Sequence, residues 1–360
     1  MTKTPSHANV VSQAYAVDGK GPMVYGRYRE AGYKVEPLVD KLGTRITENV
    51  SGTEAFRIAG LDWQAEKREA FFMGADGPVI APDHCSVVRS DTNELMHLAG
   101  KGYTPVQHTA IADLFNYLSG EIDIENVLSI RRGKKVYATA SIRAEGEVVP
   151  GDRVRRYIHA FNSHDGSCSF GVFFTDVRLA CANQLGMLTK TESKNREAEG
   201  QGLRMKHTKS VTEFAHRLPQ MIDLERQTFN KQLDGLRDLT GIPLTTELAK
   251  RVLEATFSDK LSKPITDKDT KEKRDRILTD LPEYSLIREH CYGSTGLGMD
   301  MKGVHGTVYG LFNGITQCMT HDGGKSKNNL ERNRARLESL WGGSASKRIE
   351  TAREACLALV

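Results

Sequence analysis

The densest chemistry in this 360-residue chain lies between positions 131 and 156. Eight cations fall there: Arg131, Arg132, Lys134, Lys135, Arg143, Arg153, Arg155 and Arg156. Only Glu145, Glu147 and Asp152 stand against them. The segment's net +5 exceeds the +4 of the whole chain, so the remainder is slightly acidic. Cations gathered on hairpins neutralise phosphates and release condensed counterions, which is the electrostatic footprint of nucleic-acid binding. Tyr137, Tyr157 and Phe161 are interleaved with them, and aromatic faces stack unpaired bases. The competing reading of the same residues is a solvated hairpin tip with its tyrosines in the core.

Other chemistries are weaker. His159, His164, Asp165 and Asp176 are ligand types, but a catalytic metal needs about three ligands converging on one point, and Asp165-Gly166 is already explained by turn geometry. Asp176 with Glu192-x-Lys194 has the spacing of a nuclease set, in which carboxylates hold Mg²⁺ and the lysine supports the nucleophile. Glu192 and Lys194 fall in a charged stretch, however, so a Mg²⁺-dependent nuclease is the runner-up. Gly293-Ser294-Thr295-Gly296-Leu297-Gly298 reads as a turn before a helix. Gly324-Lys325-Ser326 has Met319 where a Walker A loop needs its first glycine, so no nucleotide site is expected. Cys181 reads as core, and Lys325, Lys327, Arg332, Arg334 and Arg336 as the decoration of an exposed helix.

The elements that would carry these residues are legible from period and punctuation. Residues 156–163 are rich in β-formers, and His164-Asp165-Gly166-Ser167 turns the chain because glycine reaches φ > 0. The return strand alternates through Cys168, Phe170, Val172 and Phe174, and Thr175 or Asp176 is then expected to cap a helix bearing Val177, Cys181 and Leu185. A second hairpin pairs 126–130 with 136–142 around Arg131-Arg132-Gly133-Lys134-Lys135. Upstream, 39–72 holds a helix and a strand, Gly77-Pro78 and Ala81-Pro82 punctuate a loop, and 86–89 and 95–103 read as short strands. Thr109 starts a helix ending at Gly120. Downstream, 189–202 reads as a mobile loop and 211–236 as a long amphipathic helix containing Pro219. Shorter helices follow Thr245-Thr246, Tyr284 and Thr307, with two more over 328–341 and 344–359; the charged stretch 258–276 reads as a solvated loop. The expected fold is α+β: a mainly antiparallel sheet bearing the basic hairpins, packed against helices, with a helical C-terminal half. The expected organisation is an irregular arm over 1–35, a core over 36–210, a helical segment over 211–282 and helices over 283–360 that pack on the core.

Several of these stretches together resemble one family. N-S-H-D-G-S, V-R-L-A-C-A-N-Q-L and R-M-K-H-T, the run from Arg89 to Gln107, the hairpin at Arg132-Gly133, and G-T-V-Y-G-L-F-N-G-I-T from Gly306 are similar to the phage/plasmid-like proteins of domain of unknown function 932. The resemblance runs from about residue 60 to the C-terminus. It places Arg178, Asn183 and His207-Thr208 on positions where the family has Arg, Asn and His-Thr, and it implies a mobile-element setting in a bacterial host. It brings no established activity with it.

Composition bounds what remains. Hydrophobic content of 39% and charged content of 27% suit a soluble globular chain. Six cysteines without a C-x-x-C pair point to free thiols in a reducing cytoplasm, and no apolar run suggests a membrane span. The sequence thus leads to a binding protein rather than an enzyme, with no cofactor and no metal: a homo-oligomeric single-stranded DNA-binding or annealing protein of recombination or replication. A nuclease, or a self-assembling protein that binds no nucleic acid, are the alternatives.

Overall fold

A computed structural model of the chain describes residues 37–168, 170–180, 182–187, 203–205, 211–261, 268–322, 328–341 and 343–360. The arm over 1–35, the 189–202 loop, His207 and Thr208, Glu192, Lys194 and Gly324-Lys325-Ser326 lie outside them. Within them the fold is α+β, built on two antiparallel sheets.

The larger sheet has seven strands: β1 (Thr44–Arg45), β5 (Asp123–Ile130), β6 (Lys135–Glu147), β7 (Arg153–Ser163), β8 (Phe170–Arg178), β9 (Asn183–Met187) and β10 (Leu203–Met205). Its order is β1-β5-β6-β7-β8-β10, with β9 also paired to β8. The smaller sheet orders β2 (Ala65–Gly74), β3 (Gly77–Arg89) and β4 (Leu95–Gly100). From β5 to β9 and from β2 to β4, short connections make neighbours in sequence neighbours in the sheet, as expected for hairpins, whereas β1 and β10 pair with β5 and β8 across longer stretches. Gly166 takes φ +71 at the β7–β8 turn, where Asp165 Oδ1 accepts from the Ser167 amide at 3.0 Å.

Nine helices are described. Two lie early: α1 (Gly52–Ile58) and α2 (Thr109–Tyr117). Then come α3 (Val211–Thr240), α4 (Thr246–Thr256), α5 (Lys268–Thr279), α6 (Pro282–Tyr292), α7 (Val308–Gln317), α8 (Asn329–Leu340) and α9 (Ser344–Leu357). The α7 helix leads into a π-turn over Cys318–Asp322. Side chains of Thr245, Thr307 and Asn328 accept from backbone amides at the starts of α4, α7 and α8, as N-caps do. No helix among the described residues is long and apolar enough to cross a membrane. One hydrophobic cluster runs from Leu38 through the large sheet and the helices to Cys356.

Three expectations about elements are corrected. No helix follows Thr175: β8 continues to Arg178, and the chain turns directly into β9, pairing Val177 with Gln184 and Arg178 with Asn183. The Thr175 hydroxyl is committed to His159 and the Asp176 carboxylate to Arg156, so neither is free to cap. Cys181 lies outside the described residues. Second, Gly77-Pro78 and Ala81-Pro82 are not a loop but the distal part of β3. The prolines are tolerated there because β4 pairs with His84–Val88, so that among the described residues no ladder runs along the edge beside them. Third, the charged 258–276 stretch contains the start of α5.

Candidate functional site

At the β5–β6 tip, Arg131, Arg132 and Gly133 take φ of 53°, 59° and 95°, three left-handed residues in succession. Only glycine adopts that region freely, so two arginines in it need outside support. Trp63 and Arg89 supply it. The Arg89 guanidinium sits 4.3 Å over the Trp63 ring and donates to the Arg132 carbonyl at 2.9 Å. Gly133 lies flat on Trp63, where a Cβ would come within 2.6 Å of the ring. The result is a braced tip with the Arg132 side chain 79% exposed and that of Arg131 54% exposed. Arg131 and Lys135 share Glu338 at 2.9 and 3.3 Å, and Arg132 reaches Glu94 at 3.2 Å. Exposed pairs of this kind contribute at most about 1 kcal/mol, so an incoming phosphate can exchange with the carboxylates. Lys134 is half-buried beside them.

The other predicted cations are drawn elsewhere. Arg143 forks onto Asp123 at 3.0 and 3.2 Å. Arg153 and Arg155 share Glu145, and Arg155 also reaches Glu125 at 3.2 Å. Arg156 is a correction: it is 1% exposed and points into the core. Its guanidinium binds both Asp176 oxygens at 2.8 Å, Glu225 Oε2 at 2.7 Å and Gln232. Tyr137 and Tyr157 are corrections as well. Both are buried, with Phe161, on one face of the large sheet, because residues at every second position of β6 and β7 share that face. Trp341, at the end of α8, closes over it 4.6 Å from Tyr137. No base can stack on rings that already have neighbours on that side.

That face has its own chemistry. His159 stands between Thr139 Oγ1 at 2.9 Å and Thr175 Oγ1 at 2.8 Å, one hydroxyl per ring nitrogen. Complete burial pushes its pKa down to about 3, so the ring is neutral. His164 meets His108 at 3.2 Å, and among the described residues no three His, Cys, Asp or Glu side chains gather as ligands. Farther along, the Tyr157 hydroxyl donates to Glu125 at 3.3 Å, and Asn126 Nδ2 donates to Asp40 at 2.8 Å. Burial raises the Asp40 carboxyl to about 6 despite Arg45 beside it, and raises Glu125 despite Arg155. Between this cluster and α8 lies a cavity of about 40 Å³, room for a few water molecules. Asn126 Oδ1, Gln184 Oε1 and Thr320 Oγ1 line it, buried and without a partner among the described atoms. The oxygens call for hydrogen-bond donors. Nothing in the sequence singled this cavity out, because Asp40, Asn126 and Gln184 carry no motif and converge only through the sheet.

Arg178 and Asn183 tie the sheet to the C-terminal helices. Arg178 is fully buried, pairs with Asp152 at 2.6 Å, and donates to the carbonyls of Leu297 and Gly298 at 2.9 and 3.1 Å. The glycine-rich 293–298 segment therefore presents carbonyl oxygens to an arginine. Asn183 donates to Thr316 Oγ1 at 3.3 Å and the Asn313 carbonyl at 3.4 Å, on α7.

Fold and site together define an α+β protein whose antiparallel sheet has a polar, helix-covered face and a braced basic tip. The chain belongs to the family described as domain of unknown function (DUF932), whose model matches residues 96–341. That span takes in the basic hairpin, the Arg178 and Asn183 anchors and α8. No curated protein and no solved structure matches the chain.

Proposed function

We propose that the chain binds single-stranded nucleic acid through the β5–β6 tip, with Arg131, Arg132 and Lys134 meeting phosphates, in the recombination or replication of a phage or plasmid. The observation that carries this reading is the braced left-handed backbone, which presents two exposed arginines from a rigid platform. Strained backbone held in place by its surroundings concentrates at sites of function. The nuclease reading has less support: Asp176 gives both carboxylate oxygens to Arg156, deep beside Glu225.

Binding by phosphate contact has a measurable signature. Each contact to a single strand lowers log K by roughly 0.7 per unit of log salt. Replacing Arg131, Arg132 and Lys134 by glutamine should flatten that slope by about 2 units, with little dependence on base sequence. The check is affinity for a mixed-sequence labelled strand at several salt concentrations, in the absence and presence of Mg²⁺, with circular dichroism confirming that both proteins are folded. Parallel slopes would reduce the tip to a solvated surface. Strand cleavage with Mg²⁺ would revive the nuclease.

A further inference from the structure

The glycine-rich loop after α6 folds back onto that helix. A Cβ at Gly296 would collide with the His290 carbonyl, so only glycine lets the loop come this close. Two buried side chains hold it there. Arg178 binds the Leu297 and Gly298 carbonyls, and Gln317, the last residue of α7, clamps the loop as well. Gln317 Nε2 donates to the Thr295 carbonyl at 2.9 Å, and its Oε1 accepts from the Leu297 amide at 2.8 Å. Within this frame the Thr295 hydroxyl stands 2.9 Å from His290 Nδ1, while His290 Nε2 stands 2.5 Å from Asp322 Oδ2. Thr295 is exposed, whereas His290 is buried.

Hydroxyl, imidazole and carboxylate in series make a nucleophile, its base and the group that orients the base. The order of the hydrogen bonds places the proton. A carboxylate oxygen accepts, so His290 Nε2 carries the hydrogen. The Gln317 amide is oriented by its two loop contacts and presents its NH₂ group to His290 Nδ1 at 3.1 Å, so Nδ1 carries the lone pair. The Thr295 hydroxyl donates to that same lone pair. In its neutral form His290 is therefore set to take a proton from Thr295, and the Gln317 amide then keeps its bond to the Thr295 carbonyl. The amide of Gly296, next in the chain, makes no hydrogen bond among the described residues. The N–H that follows a nucleophile is a common donor to an oxyanion.

We propose that Thr295, His290 and Asp322 are the nucleophile, base and orienting group of a site that cleaves carboxylic esters, an activity separate from nucleic-acid binding at the β5–β6 tip. Thr295 Oγ1 attacks the carbonyl carbon while its proton passes to His290 Nδ1, and the C=O π electrons move onto oxygen against the Gly296 amide. The tetrahedral species collapses, the C–O bond to the alcohol breaks, and His290 returns the proton to the departing alkoxide. Water then attacks the acyl-threonine, with His290 again taking and returning one proton, which releases the acid and restores Thr295. Asp322 faces the imidazolium that forms in each half of the cycle. An ester suits the site because the donor next to the nucleophile is a neutral amide, matched to an oxygen that gains charge only as the new bond forms.

A fluorophosphonate tests the nucleophile without knowledge of the natural ester, because it traps an activated hydroxyl and loses fluoride. Incubated with the full chain, it should add a single phosphonyl group, located on Thr295 by peptide mass mapping. Thr295→Ala, at an exposed position, should fold normally and take up no label, and Thr295→Ser should restore it. Asp322→Asn should slow labelling of Thr295 by roughly a hundredfold or more, since the base loses its orienting charge. Hydrolysis of p-nitrophenyl acetate should follow the same order, with Thr295→Ala at the background rate. Thermal unfolding of each variant separates lost chemistry from a lost fold. An unlabelled Thr295 in the wild type, a label on Ser294 instead, or equal ester hydrolysis by wild type and Thr295→Ala would each overturn the proposal and leave these hydrogen bonds a purely structural tie.

Discussion

A side chain's type announces its charge, whereas its partners are set by the fold. Of the eight cations between 131 and 156, Arg132 is displayed and Arg156 is sealed in the core, yet nothing in the local sequence separates them. His159 shows the same gap and offers a test. Its folded pKa is depressed to about 3, while in the unfolded chain it takes up a proton near its ordinary 6.5. As pH falls below 6.5 the unfolded state gains a proton that the folded state refuses, so stability drops by about 1.4 kcal/mol per pH unit from this group. His108, pushed down by burial to about 4, acts in the same direction. Asp40 and Glu225, raised by burial to about 6 and about 7, act oppositely: their stabilisation is full at acid pH and is lost as pH rises through those values. Replacing His159 by glutamine removes the first contribution alone. Between pH 6 and pH 4.5, urea unfolding should show the wild type losing about 2 kcal/mol more than the variant. Identical pH profiles would mean that His159 protonates inside the fold.

At the scale of elements, buried charge decides how β7, β8 and α3 are joined. Arg156 on β7 is held by Asp176 on β8 and by Glu225 on α3, and it also lies 5.4 Å from the Phe229 ring. Removing one member of a buried set leaves its partners' charges without compensation, which typically costs about 3–5 kcal/mol. Arg156→Met should therefore destabilise the protein by roughly that amount in chemical denaturation. Adding Asp176→Asn and Glu225→Gln should recover part of the loss, since the stranded charges then disappear. A loss below about 1 kcal/mol for the single variant would mean that the cluster behaves as surface ion pairs do. The hydrogen bonds made by Thr175 and Asp176 also explain why the helix expected after them gives way to the β8–β9 hairpin.

Across the whole molecule, one apolar cluster connects the N-terminal strands to α9. The thiols report on its integrity. Cys85, Cys291, Cys318 and Cys356 are free thiols, and burial pushes Cys291, Cys318 and Cys356 up to about 12. At neutral pH those three hold about a thousandfold less reactive thiolate than a cysteine of ordinary pKa near 9. A thiol reagent should accordingly label them in the native protein only as fast as the core opens. After denaturation without reductant it should count all six cysteines of the sequence. Four thiols would reveal a disulfide, and fast native labelling of the three would show that the core is open.

What the sequence determined by itself is local. The glycine at the β7–β8 turn, the caps at Thr245, Thr307 and Asn328, the β5–β6 hairpin and the amphipathic α3 all follow from residues within a few positions of one another. Two prolines hid the length of β3, because whether a strand tolerates proline depends on which edge is left unpaired. The tertiary structure alone decided the rest. Arg131 meets Glu338 across 207 positions, Asn126 meets Asp40 across 86, and Arg178 reaches the Leu297 carbonyl across 119. Such pairs form only when strands and helices from distant parts of the chain close on a common core. Burial then multiplies their electrostatic consequence, shifting Asp40 and His159 far from their solution behaviour while leaving Arg131 and Arg132 at a water-facing tip.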